Sequence, residues 1–130
     1  MPDTTTLQKR AEKRALVVED EGEMGLLLNL FIDESDLELD YVKDLLSAEE
    51  YLEREQPSVI ILDNKLPDGF GVDFIGYIKK KYPSMKIIMI SGFCSVRDVA
   101  LENGADIFLE KPFTREQLYK AIHGLLPEIN

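Results

Sequence analysis

Three adjacent carboxylates, Glu19, Asp20 and Glu21, close the apolar run "ALVV" (15–18). Like charges about 4 Å apart repel by roughly 4 kcal/mol at an effective dielectric near 20. A chain that ends an apolar run this way needs a positive partner to offset that cost. Further along, Asp63 and Asn64 follow "SVIIL" (58–62), Ser91 and Gly92 follow "KIIMI" (86–90), and Glu110, Lys111 and Pro112 follow "DIFL" (106–109). These types form a chemical set. Clustered carboxylates suit a hard divalent cation such as Mg²⁺, which takes oxygen ligands and usually binds through one or two carboxylates plus a phosphate. Asp63 then reads as a carboxylate nucleophile toward phosphorus. Lys111 supplies a compact positive charge for the transferred oxygens, and Ser91 a hydroxyl donor to one of them. Phosphoryl transfer needs mostly positioning and charge neutralisation, which this set can supply.

The elements that must position these residues are legible as an alternation. The runs at 15–18, 58–62 and 86–90 are short and continuously apolar, as expected of strands buried on both faces of a parallel sheet. "LELDY" (37–41) instead alternates Leu37, Leu39 and Tyr41 with Glu38 and Asp40, which fits a half-exposed edge strand, and 106–109 is a fifth candidate. Helical stripes lie between. Met24, Leu27, Leu28 and Phe31 are spaced i, i+3, i+4, i+7, as are Leu118, Ala121, Ile122 and Leu125. Ala48, Tyr51 and Leu52 mark another stripe, Phe74, Ile75 and Ile78 another, and Val96, Val99 and Ala100 a weaker one. Ser47 and Thr114 read as N-caps, and Gly104 as a helix stop. This five-fold repeat predicts a doubly wound α/β sheet with right-handed crossovers. In such a sheet the carboxyl ends of the strands share one edge, and ligands bind there. All the reactive types therefore land on that edge.

The bulk composition sets limits. With 130 residues the chain suits one domain, and 45% hydrophobic residues can form a packed core. The net charge of −10 argues against nucleic-acid and membrane-surface partners, both anionic. The one basic cluster, Lys9, Arg10, Lys13 and Arg14, reads as a solvated tail over residues 1–13 and the start of the domain. A single cysteine, Cys94, allows no internal disulfide and is expected to be structural. No run is long enough to span a membrane, and the start lacks a signal-peptide apolar region, so a cytoplasmic protein is expected.

The motifs "LVVEDE", "VIILDNKLPDG", "IIMISG" and "GADIFLEKPF", in that order and spacing, resemble the receiver domain of two-component response regulators, the CheY-like superfamily. The resemblance runs from residue 14 to about 126, leaving 127–130 as a short tail. It implies a flavodoxin-like α/β fold, with a five-stranded parallel sheet in order 2-1-3-4-5 and five helices, in which strand 2 is an edge. It implies Asp63 as phosphoacceptor and Mg²⁺ held by Glu19, Asp20, Asp63 and the Lys65 carbonyl. Glu19 stands where Asp is more usual, so its contact is expected to run through water. Ser91 matches the switch hydroxyl, Phe108 the switch aromatic and Lys111 the phosphate lysine. The Lys111–Pro112 bond is often cis in the family. Lys65 and Phe93, each two residues past a site residue, are expected over the phosphate.

The same resemblance implies a bacterial signalling switch in place of a classical enzyme, catalysing only transfer to, and hydrolysis from, its own aspartate. The donor is expected to be a sensor histidine kinase or a histidine phosphotransfer protein. The surface of helix 4, strand 5 and helix 5 (the segments at 96–100, 106–109 and 118–125) would then change for a downstream protein target or fused output domain. Gln117, Ala121 and Ile107 replace charged positions of a known dimer ladder, so a monomer or weak dimer is expected. Blander readings stand beside these. Glu21 is expected to be a solvated acid near a helix start, and His123 an exposed side chain. A haloacid-dehalogenase-like phosphatase would need an acid at position 65, where Lys65 stands. A flavodoxin would need a hydroxyl-rich loop after strand 1, where "EDEGE" would repel phosphate. A docking scaffold that is never phosphorylated would normally have lost an acid or the lysine, and none is lost.

Overall fold

The computed structural model describes residues 13–22, 25, 29 and 37–127. Five strands, β1 (Arg14–Val18), β2 (Glu38–Val42), β3 (Val59–Asp63), β4 (Lys86–Ser91) and β5 (Ile107–Glu110), form one parallel sheet in the order β2-β1-β3-β4-β5. The expected order and the edge position of strand 2 both hold. The helices are α1 (Leu45–Arg54), α2 (Gly71–Lys81), α3 (Arg97–Asn103) and α4 (Arg115–Leu125), with a 3₁₀ turn at Cys94–Val96. Gly22, Gly25 and Asn29 are also helical. The stripe of Met24, Leu27, Leu28 and Phe31 lies outside the described residues. None of the helices among the described residues is long and apolar enough to cross a membrane.

The continuous apolar runs have a simple cause. Successive side chains of a strand point to opposite faces, and here both faces are covered. Ala15, Val17, Val59, Ile61, Ile88 and Ile90 pack with Leu118, Ala121 and Ile122 of α4. Leu16, Val18, Ile60, Leu62, Ile87 and Met89 pack on the other face, against Ala48 and Leu52 of α1, Phe74, Ile75 and Ile78 of α2, and Ala100 of α3. A strand with one solvated face would have to alternate with polar residues.

Three local expectations need correction. Asp44, not Ser47, caps α1: its carboxylate accepts from the Ser47 N–H at 2.8 Å. Asp68 from the loop after β3 takes the next two free donors, Leu45 N–H at 2.9 Å and Leu46 N–H at 3.0 Å. Ser47 therefore lies inside the first turn. In the edge strand Leu37 is buried and Leu39 half-buried, but Tyr41 is 43% exposed, its hydroxyl donating to the Gly25 carbonyl at 3.0 Å. In the weak stripe only Ala100 is buried, and Val99 is 48% exposed. Thr114 caps α4 as expected, and Gln117 reaches back to the Thr114 N–H to complete a capping box. Gly104 ends α3 at φ 121°, a left-handed conformation that favours glycine.

Candidate functional site

Register aligns the strand ends. Asp63 pairs with Ile90 and Ser91 with Glu110. Asp63, Ser91 and Lys111 thus reach one edge of the sheet from three neighbouring strands. They line a cavity of about 440 Å³ together with Asp20, Glu21, Lys65 and Phe93. Seven residues spread over 92 positions of sequence meet there because parallel strands in register end together.

Asp63 is buried, at 6% exposure. The Lys111 ammonium donates to both of its oxygens, each at 3.2 Å, and the Asn64 N–H donates to Oδ1 at 2.8 Å. Burial pushes the Asp63 carboxyl above its usual range; the Lys111 charge and the hydrogen bonds oppose that rise, while Glu21 adds to it. Burial outweighs pairing because the lysine, itself partly exposed, only partly replaces lost water. Ser91 is buried, and its hydroxyl oxygen accepts from the Phe93 N–H at 3.0 Å. The Lys111 N–H donates to the Ser91 carbonyl at 2.8 Å, which ties the lysine backbone to the end of β4. The Lys111–Pro112 bond is cis, as the resemblance implied.

Asn64, noted beside Asp63 in the sequence but given no role there, and Gly71, which was not noted, both hold Asp63 in place. The Asn64 side-chain oxygen accepts from the Val72 N–H at 3.0 Å, and its carbonyl accepts from the Gly71 N–H at 2.7 Å. A Cβ at Gly71 would stand 2.3 Å from the Asp63 carbonyl oxygen. The start of α2 can therefore press on the Asp63 backbone only if position 71 is glycine. The signal was present as a lone glycine at a strand-to-helix turn.

Glu19 is buried; it lines a small cavity with Asp63 and Lys111 in place of the larger one that holds Asp20. Its carboxylate takes backbone hydrogen bonds from Glu21 and Gly25, and its Oε2 has no partner. Burial foremost raises its pKa, with the charges of Asp63 and Glu21 adding to the rise. A Cβ at Gly25 would come within 2.9 Å of Glu19 Oε1, so the glycine leaves room for this carboxylate. Among the described residues no three acidic, histidine or cysteine side chains stand close enough to hold a metal as a group. Asp20 and Asp63 share the larger cavity, and Glu19 shares the smaller one with Asp63 and Lys111. The donors nonetheless fit a hard cation, since Mg²⁺ needs only one or two carboxylates beside a phosphate, and Glu19 holds a buried oxygen without a partner.

Lys65 and Phe93 meet over the pocket, with the ammonium 4.8 Å from the ring centroid. Phe108 is half-buried and packs on the core face that α1, α2 and α3 cover. Glu21 is not merely solvated: its Oε1 lies 3.8 Å from the Lys111 ammonium, although the side chain is 66% exposed. Cys94, expected to be structural, is exposed in the 3₁₀ turn. His123 is half-buried, its ring 5.1 Å from that of Tyr119.

A buried aspartate held by a lysine thus stands at the strand-end edge of a doubly wound sheet of order 2-1-3-4-5. The model of the response regulator receiver domain matches residues 15–123, and the chain belongs to that family, the signalling modules of two-component systems. It is 33% identical over 104 residues to the response regulator protein PilR of Pseudomonas aeruginosa, covering 78% of this chain and 23% of that protein. It is 29% identical over 122 residues to the phosphate regulon transcriptional regulatory protein PhoB of Escherichia coli, covering 91% of this chain and 53% of PhoB. The chain therefore spans about a quarter to a half of these relatives. Among solved structures, the beryllofluoride-activated NtrC4 receiver domain dimer superposes with a TM-score of 0.80 at 36% identity, covering 88% of this chain and 97% of that one. The receiver domain of a LuxO repressor protein from Vibrio parahaemolyticus gives 0.82 at 28% identity, covering 88% and 90%.

Proposed function

We propose that this chain is a phosphorylation switch in which Asp63 accepts a phosphoryl group from a sensor histidine kinase or a histidine phosphotransfer protein. The observation that carries the reading is the Lys111 ammonium set on both oxygens of a buried aspartate, in a pocket that also holds Ser91, Asp20 and Lys65. One oxygen of Asp63 attacks phosphorus and forms a P–O bond. The P–N bond to the donor imidazole breaks, and the imidazole nitrogen keeps that electron pair. Mg²⁺, held by Asp20, Asp63 and the Lys65 carbonyl with Glu19 acting through water, would neutralise charge on the transferred oxygens. Lys111 leaves its symmetric contact with Asp63 and follows the new phosphoryl oxygens. Ser91, whose hydroxyl proton is free to turn while its oxygen accepts from Phe93, donates to one of them. The space it vacates admits Phe108. The surface of α3, β5 and α4, where Val99, Leu101 and Tyr119 are exposed, then changes for a downstream protein or output domain. The chain itself acts as a monomer or weak dimer. The switch is a population shift biased by one covalent charge.

The test is intact mass after incubation with acetyl phosphate, with and without Mg²⁺, beside Asp63→Asn. One added phosphoryl group that needs both Mg²⁺ and Asp63 is the expected result. Absence of any adduct, joined with failure to bind beryllofluoride plus Mg²⁺, would leave a scaffold that is never phosphorylated.

A further inference from the structure

The pocket carries three carboxylates, Asp20, Glu21 and Asp63, against two ammonium groups, Lys65 and Lys111. A phosphodonor that brings further negative charge enters a site whose own side chains carry one negative charge in excess, before any Mg²⁺ is counted. Lys111 is central to that balance, and its ammonium has three N–H donors. Two directions are taken by the Asp63 oxygens, at 3.2 Å each. Glu21 Oε1 lies 3.8 Å from the same nitrogen, reaching in from the loop after β1. Glu21 is unlike the other two acids. Asp63 is the nucleophile and Asp20 stands beside it, whereas Glu21 is the side chain that competes for the lysine from the solvent side.

We infer that Glu21 is a positioning residue that restrains Lys111 and raises the electrostatic threshold of the pocket toward anionic small-molecule phosphodonors. The inference rests on the phosphoacceptor reading of Asp63. Its consequence is selectivity. A free acyl phosphate meets the full repulsion of Glu21 as it enters. A protein donor can offset that repulsion with contacts of its own outside the pocket. Glu21 thus lowers uptake from small metabolite-like donors without removing any group that the transfer needs. A unit charge about 6 Å from the incoming phosphorus, in water, changes the encounter with a singly charged anion about threefold, and with a dianion about tenfold before screening. Solvent ions reduce both figures, so about fivefold is expected for a dianion and about twofold for a monoanion at about 20 mM ionic strength, where the Debye length is about 20 Å.

The test compares the second-order rate constant of phosphoryl uptake, followed by intact mass at saturating Mg²⁺, in wild type, Glu21→Gln and Glu102→Gln. Glu102 is exposed on α3 and lies outside the pocket, so it controls for net charge. Each is assayed with acetyl phosphate, a dianion, and phosphoramidate, which carries a single net negative charge, at about 20 mM and about 1 M ionic strength. Glu21→Gln is expected to take up the phosphoryl group of acetyl phosphate about fivefold faster at low ionic strength, with a smaller gain, about twofold, from phosphoramidate. The gain should vanish at 1 M, where the Debye length is about 3 Å. Glu102→Gln should match wild type throughout. A gain equal for both donors and indifferent to salt would mean that Glu21 acts through the fold, and the inference fails. A several-fold rise in the half-saturating Mg²⁺ concentration for Glu21→Gln would make Glu21 a metal ligand and also overturn it. If wild type reacts and Glu21→Gln merely matches it, the inference falls and the reading of Asp63 stands. If neither wild type nor Glu21→Gln takes up a phosphoryl group, the inference falls, and the reading of Asp63 falls with it only if beryllofluoride plus Mg²⁺ also fails to bind.

Discussion

Lys111→Met removes the ammonium from Asp63 and keeps most of the stem, so it isolates the charge. Removing one partner of a fully buried ion pair costs 3–5 kcal/mol, roughly. Here the Asp63 side chain is 8% exposed and that of Lys111 24%, so solvent already screens part of the attraction, and about 2 kcal/mol is the expected loss near neutral pH. For a domain of this size that is a fall in Tm of about 5–10 °C. The pH dependence identifies the cause. The folded Asp63 carboxyl titrates above its unfolded value of 3.8, burial being the leading cause and Lys111 opposing it. A group whose folded pKa is raised stabilises fully below the unfolded pKa, and that contribution is lost as pH rises through the folded pKa. Without Lys111 the folded pKa rises further, so more is lost. The deficit of the variant should be full at pH 7.5 and shrink as pH falls toward 4, where protonated Asp63 no longer needs a cation. Thermal melts of both proteins in metal-free buffer across that range are the assay. A deficit of equal size at both ends would show that Lys111 contributes packing and not charge, and the account of the pair would be wrong.

Three further outcomes are expected. Gly71→Ala should destabilise by about 1–3 kcal/mol in a denaturant melt, because its Cβ meets a backbone oxygen that cannot rotate away, and it should also slow phosphoryl uptake by displacing Asp63; a neutral effect on both would mean that the start of α2 can shift freely. Thr114→Ala should cost about 1 kcal/mol by the same melt, since it removes one half of the capping box on α4; a value near zero would show the cap replaced by water. Phe93→Ala should shorten the phosphorylated lifetime, measured by loss of the mass adduct, because the ring and the Lys65 ammonium cover the pocket together; an unchanged or longer lifetime would remove Phe93 from any role in excluding water.

The architecture was legible because its signals are local. A strand buried on both faces must be apolar at every position, and Ala15–Val18, Val59–Leu62 and Ile87–Ile90 are. Tertiary contacts had little freedom to override that pattern. The short, half-exposed elements were read less well. In α3 only Ala100 reaches the core, so its periodicity was thin, and the cap of α1 moved to Asp44 because extended backbone there puts a carboxylate opposite the Ser47 N–H.

The candidate site divides in the same way. The sequence alone determined the residue types and their order at the strand ends, Glu19-Asp20, Asp63, Ser91 and Lys111, since parallel strands of similar length bring their carboxyl ends to one edge. Only the tertiary structure decided where each side chain points. Glu19, although adjacent to Asp20, is drawn to the Glu21 and Gly25 N–H groups and faces a small cavity beside Asp63 and Lys111, not the larger one that Asp20 lines. Glu21 reaches a lysine 90 residues away. Lys65 finds the ring of Phe93 across the cavity mouth. Cys94, apolar enough for a core, lies on the surface because its 3₁₀ turn buries nothing. Spacing places a residue on an edge, but its partners are set by which neighbouring donors, acceptors and charges the packed chain brings within hydrogen-bond or ion-pair reach.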